Sequence, residues 1–71
     1  MAKDKVKAIV WREGKLFVAK TLGVELASQG TTKGEALKNL REAFELLLEG
    51  NEVKISPSAV PQNPEITALY A

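Results

Sequence analysis

The sequence predicts an α+β fold: a three-stranded antiparallel meander, one helix packed on it, and one or two short strands after the helix. Two observations carry this. From Lys5 to Lys20, β-branched and aromatic residues dominate on either side of Gly14. From Thr32 to Gly50, apolar residues recur at helical period behind a capping signal.

The first run, KVKAIVWRE, alternates Val6, Ala8 and Val10 with Lys7, Ile9 and Trp11, which is the period of a strand. Glu13-Gly14 interrupts it and LFVAK, Leu16 to Lys20, resumes the composition, so the two runs read as a hairpin with Gly14 supplying a positive φ. A third run extends through Val24 to Gln29 and closes at Gly30. Thr32-Lys33-Gly34-Glu35 has the spacing of a capping box. Ala36, Leu37, Leu40, Ala43, Phe44, Leu47 and Leu48 share one helical stripe, and Gly50 suits the residue after the C-cap, so the helix is expected over about 33 to 49. Val53 to Ile55 reads as a short strand, prolines at 57, 61 and 64 then mark a loop, and Ile66 to Tyr70 alternates again as a final strand. The organisation is one domain over residues 1–55 and a proline-punctuated tail over 56–71, with a strand at 66–70 ending it.

One helix covers one face of a sheet, so the other face has its own chemistry. With Glu13-Gly14 as a two-residue turn, Val10 faces Phe17 and Ala8 faces Ala19 on one side, while Ile9 faces Val18 and Trp11 faces Leu16 on the other. A one-residue shift, with Gly14 in a bulge, changes partners but keeps Ile9 and Trp11 opposite in face to Val10 and Ala8. Both sides are apolar. We expect the side carrying Lys7, Ile9, Trp11, Leu16 and Val18 to lie away from the helix, rimmed by Lys5 and Lys7, and to serve as a protein interface: an apolar patch with an aromatic anchor and a charged rim is interface composition. The alternative places Trp11 and Ile9 under the helix and leaves the Val6/Ala8/Val10 side outward.

At 71 residues the chain has room for one modest core, and a domain of this size buries only about 60% of its unfolded surface. Disulfides and the usual zinc ligand sets are excluded, because the chain has no cysteine and no histidine. Self-association, as a dimer or tetramer, is the remaining route to stability. No apolar stretch approaches the ~20 residues of a membrane span and no signal-peptide core follows the basic start, so a cytoplasmic location is expected. The net charge of +1 is unevenly placed, with the lysine-rich first twenty residues opposed by a glutamate-rich stretch over residues 25–52.

No catalytic constellation is present in the sequence. Ser28, Ser56 and Ser58 have no histidine to activate them. Glu42, Glu45 and Glu49 interleave with Lys38 and Arg41 as on a solvated helix surface, and Gly23, Gly30 and Gly34 form no phosphate-binding pattern. The expectation is a protein that is not an enzyme and uses no cofactor or metal. Lys3, Lys5 and Lys7 with Trp11 or Phe17 allow a second reading, a small nucleic-acid-binding module, although lysines on a first strand also serve to protect a sheet edge. A third reading is an orphan structural oligomer.

The stretch Ser28-Gln29-Gly30-x-Thr32, followed by Glu35-Ala36-Leu37, Asn39-Leu40, Glu42-Ala43 and Glu45-x-x-Leu48-Glu49, resembles the HicB-like antitoxin family, and the preceding WREGKLFVAK hairpin is similar too. The resemblance spans about Lys5 to Glu49. It implies a partial ribonuclease-H-like fold without that fold's catalytic acids, and a HicA-type toxin, an mRNA-cleaving ribonuclease, as the partner bound and silenced. Two departures stand out. No helix-turn-helix or ribbon-helix-helix module follows the helix, which argues against direct DNA binding. Thr21-Leu22-Gly23-Val24-Glu25-Leu26 replaces the proline-rich turn common before the Ser-Gln-Gly stretch, as in a short, stand-alone member of the family.

Overall fold

The hairpin turn fixes the register of everything that follows. In the structure, a computed structural model that describes residues 6–23, 26–50 and 60–70, strand β1 (Lys7–Glu13) pairs antiparallel with β2 (Leu16–Thr21) so that Glu13 lies opposite Leu16, Trp11 opposite Val18 and Ile9 opposite Lys20. The two turn residues are therefore Gly14 and Lys15, not Glu13 and Gly14. Gly14 has φ of 60° and Lys15 does not have positive φ, the signature of a II′ turn with glycine first. Arg12 Nε donates to the Gly14 carbonyl at 2.9 Å and closes the tip. This pairing is offset by two residues from the expected one. An even offset exchanges partners but returns every side chain to the same face, so the expected division of faces is retained.

Strand β3 (Ala27–Gly30) adds to the far side of β2, with Val18 opposite Gln29 and Ala19 opposite Ser28. Helix α1 (Lys33–Leu48) follows after two residues. Its start is fixed locally: the Thr32 hydroxyl accepts from the Glu35 amide at 3.0 Å. The Glu35 carboxylate reaches back to the Thr31 amide at 3.0 Å, one residue earlier than a standard capping box. At the other end Gly50, with φ of 85°, follows the C-cap Glu49, and its amide donates to the Leu47 carbonyl.

Ala36, Leu40 and Phe44, spaced by four, are the fully buried positions of α1. They pack against Val6, Ala8, Val10, Ala19, Leu26 and Leu69 in the main core, with Phe17, Leu37, Ala43 and Tyr70 at its margin. The expected apolar stripe stops short of the helix end, because Leu47 and Leu48, together with Leu46, are exposed.

The final strand β4 (Glu65–Ala68) pairs antiparallel with β1, giving the sheet order β3-β2-β1-β4. It begins and ends earlier than the expected 66–70. Contacts with α1 hold it and the two residues that follow: Lys33 Nζ with the Glu65 carboxylate at 2.5 Å, an Arg41 guanidinium N–H to the Leu69 carbonyl at 3.3 Å, the Tyr70 hydroxyl to the Glu45 carboxylate at 3.3 Å, and the Phe44 and Tyr70 rings edge to face at 6.2 Å. The architecture is α+β, three antiparallel strands, a helix and a short strand in a single open sheet. The strand expected at Val53–Ile55 lies outside the described residues.

Candidate protein-binding face

Strand alternation sorts the sheet into two faces. Ala8, Val10, Phe17, Ala19 and Thr21 turn toward α1. On the opposite face lie Lys7, Ile9, Trp11 and Glu13 from β1, Leu16, Val18 and Lys20 from β2, Ala27 and Gln29 from β3, and Ile66 and Ala68 from β4. All five residues expected at an interface, Lys7, Ile9, Trp11, Leu16 and Val18, are brought together there. The arrangement with Trp11 under the helix is not adopted. Among the described residues, no second helix or sheet lies on this face.

The face has a closed centre and an open margin. Ile9, Trp11 and Val18 form an apolar cluster separate from the main core, at 5%, 7% and 5% exposure. Side-chain packing across Trp11 and Val18, and between neighbours Ile9 and Trp11, gives this centre its own small core. Trp11 Nε1 donates to the Glu13 carboxylate at 3.2 Å, which satisfies the indole N–H and leaves the ring body apolar. Around this centre Lys7 is exposed, and Leu16 and Lys20 are half-buried. Among the described residues, the most exposed large apolar side chain is Ile66, at 66%.

Ile66 was not visible as a site residue in the sequence. It lies directly opposite Ile9, in a pair that exchanges no backbone hydrogen bonds, where Cα atoms approach to about 4.5 Å. Only the β1–β4 pairing, across more than fifty residues of sequence, puts it beside the Trp11 cluster. Charge on this face is polarised along β1: Lys7 and Lys20 lie toward one end and Glu13 toward the turn. The outer basic residues Lys3 and Lys5 lie outside the described residues, as do Ser56 and Ser58.

The face offers exposed Ile66 and half-buried Leu16 within a mixed-charge rim, and among the described residues it pairs no nucleophile with a base. Ser28 is on the helix side, half-buried, in a chain with no histidine. Among the described residues no group of acidic, histidine or cysteine side chains is arranged to hold a metal ion, and no helix is long and apolar enough to cross a membrane. Comparison with protein-family models, with curated proteins and with solved structures yields no match.

Proposed function

We propose that this chain is a non-catalytic, antitoxin-like binding protein that uses the sheet face around Trp11 to occlude a HicA-type mRNA-cleaving toxin, and that it self-associates in the cytoplasm. The observation that carries this reading is exposed Ile66 on the face opposite α1, with Lys7 exposed and Leu16 and Lys20 half-buried around the closed cluster of Ile9, Trp11 and Val18. An exposed aliphatic side chain edged by charges is interface composition, and Trp11, at 7% exposure, supports that surface from beneath. Occluding another enzyme's site requires a surface and no chemistry of its own.

The sequence resemblance supplies the partner class; the face supplies the means. Glu13 beside Trp11 favours a protein over a nucleic acid here, because a carboxylate bonded to the indole places negative charge where a phosphate backbone would run. The test is co-expression with a small basic ribonuclease encoded beside this chain. A stable complex and relief of growth arrest, both weakened in Leu16→Lys and in Lys7→Glu, are expected. Growth arrest that persists, with no complex recovered, overturns the proposal.

A further inference from the structure

The two edges of the sheet are protected to different degrees, and the difference identifies a surface. Where β3 meets β2, the Thr21 amide donates to the Leu26 carbonyl at 3.0 Å, which sets the alternation: Ser28 and Gly30 bond toward β2, and Ala27 and Gln29 point their backbone groups outward. The outward Gln29 carbonyl is taken by the Asn39 side chain of α1 at 2.8 Å, so the helix blunts this edge.

At the opposite edge, the Leu69 amide donates to the Val6 carbonyl at 3.0 Å, so Leu69, Thr67 and Glu65 bond toward β1, and Ile66 and Ala68 point outward. Among the described residues, nothing bonds the N–H or C=O of either Ile66 or Ala68. The strand is short, but its sequence, Glu-Ile-Thr-Ala, contains no proline or lysine, and its one charge is paired with Lys33. Pro64, the next outward position, has no N–H and bounds the edge on one side.

We infer that β4 is the self-association edge, pairing antiparallel with β4 of a second copy about a two-fold axis at Thr67. This rests on the reading of the chain as self-associating and names where it does so. In that register Ile66 lies opposite the second copy's Ala68, and the two residues exchange both backbone hydrogen bonds. Symmetry repeats the exchange, so four bonds satisfy all four outward N–H groups and all four outward C=O groups that need a partner across the two copies' Ile66 and Ala68 positions.

The side chains agree with the register. Ile66 meets alanine, a small residue that leaves room for it, and the two Ile66 side chains become diagonal neighbours. Thr67 faces its own copy on the helix side, and Glu65 faces Leu69, so no like charges are opposed. The sheet becomes continuous through eight strands, and the Trp11 face of each copy stays on the surface of the joined sheet. Four residues of strand bury less than the ~1,200 Å² of a standard stable interface, so the pairing is a concentration-dependent monomer–dimer equilibrium.

Sedimentation velocity on the full chain over a concentration series tests this. Wild type is expected to move from monomer toward dimer mass. Ala68→Pro deletes an N–H that points away from β1, leaving the internal ladder intact while removing half of the intermolecular bonds. Ile66→Lys adds charge to the same edge without touching the backbone, and decides the matter should Ala68→Pro fail to fold by circular dichroism. Both variants are expected to raise the dimer dissociation constant about tenfold or more. A wild type that stays monomeric up to its solubility limit overturns self-association altogether. A dimer unaffected by either substitution overturns the β4 edge and leaves self-association at another surface.

Discussion

Gly30→Ala probes how closely α1 approaches the sheet. Gly30 is buried and does not have positive φ, so backbone freedom is not what requires glycine there. A Cβ built at this position would lie 2.6 Å from the Ala36 amide nitrogen and 2.9 Å from both the carbonyl carbon and Cβ of Glu35. Favourable contact lies near ~3.5 Å, so the overlap is several tenths of an ångström, and it is with helix backbone that no side-chain rotation can move. The first turn of α1 would have to lift from β3, loosening fully buried Ala36 and the Asn39 to Gln29 bond. Overpacking of this kind costs about 1–3 kcal/mol, partly offset by the ~0.4–1 kcal/mol that alanine gains by restricting the unfolded chain. A net loss near 1–2 kcal/mol corresponds to a fall in Tm of roughly 5–15 °C for a domain this small. Thermal melts followed by far-ultraviolet circular dichroism measure it. An unchanged or raised Tm for Gly30→Ala would refute the close approach.

Gly34→Ala should change Tm with the opposite sign. The nearest atom to its added Cβ is the Thr32 hydroxyl at 4.0 Å, and alanine is favoured over glycine in a helix by ~1 kcal/mol, so its melt should rise by several degrees. Thr32→Ala removes the helix cap and is expected to cost about 1 kcal/mol in urea unfolding, with Thr32→Ser close to wild type. Phe44→Ala deletes a fully buried ring at the centre of the main core; a loss of ~3–5 kcal/mol should leave much of the chain unfolded at 37 °C, visible as lost circular dichroism signal. Glu13→Ala takes away the acceptor for the Trp11 indole and should cost ~0.5–1.5 kcal/mol, together with a change in the emission of the chain's single tryptophan.

Local signals made much of the fold legible. Thr32, Glu35 and Gly50 mark the helix ends by capping chemistry that depends on a few neighbouring residues, and the structure places all three where that chemistry predicts, with Glu35 bonding one residue early. Alternation in β1 and β2 separated the two faces correctly even though the turn was placed one residue early, because the resulting two-residue offset preserves parity. Long-range information was missing. Nothing local says that Ile66 meets Ile9, so the exposed apolar residue of the candidate face was invisible until β4 was paired. The near-closure of Ile9, Trp11 and Val18 is likewise something that periodicity alone does not report.

The residues that carry the family resemblance have structural duties of their own. Gly30 permits close packing of α1, Thr32 caps it, Glu35 ties back to Thr31, and Asn39 holds the Gln29 carbonyl. These contacts build the junction between β3 and α1, and none belongs to the Trp11 cluster. On the proposed function, these residues serve folding, and residues of the opposite face serve recognition.

The central claim, that this face binds a protein partner, is tested most directly by following the Trp11 indole N–H in ¹⁵N-labelled protein as a co-encoded ribonuclease is added. With one tryptophan in the chain, its signal is unambiguous. Saturable shifts of that signal, accompanied by the amides of Lys7, Leu16, Lys20 and Ile66, with Lys38 and Glu42 on the outer side of α1 unchanged, are the predicted result. Shifts confined to α1, with the Trp11 indole unmoved at saturation, would contradict it.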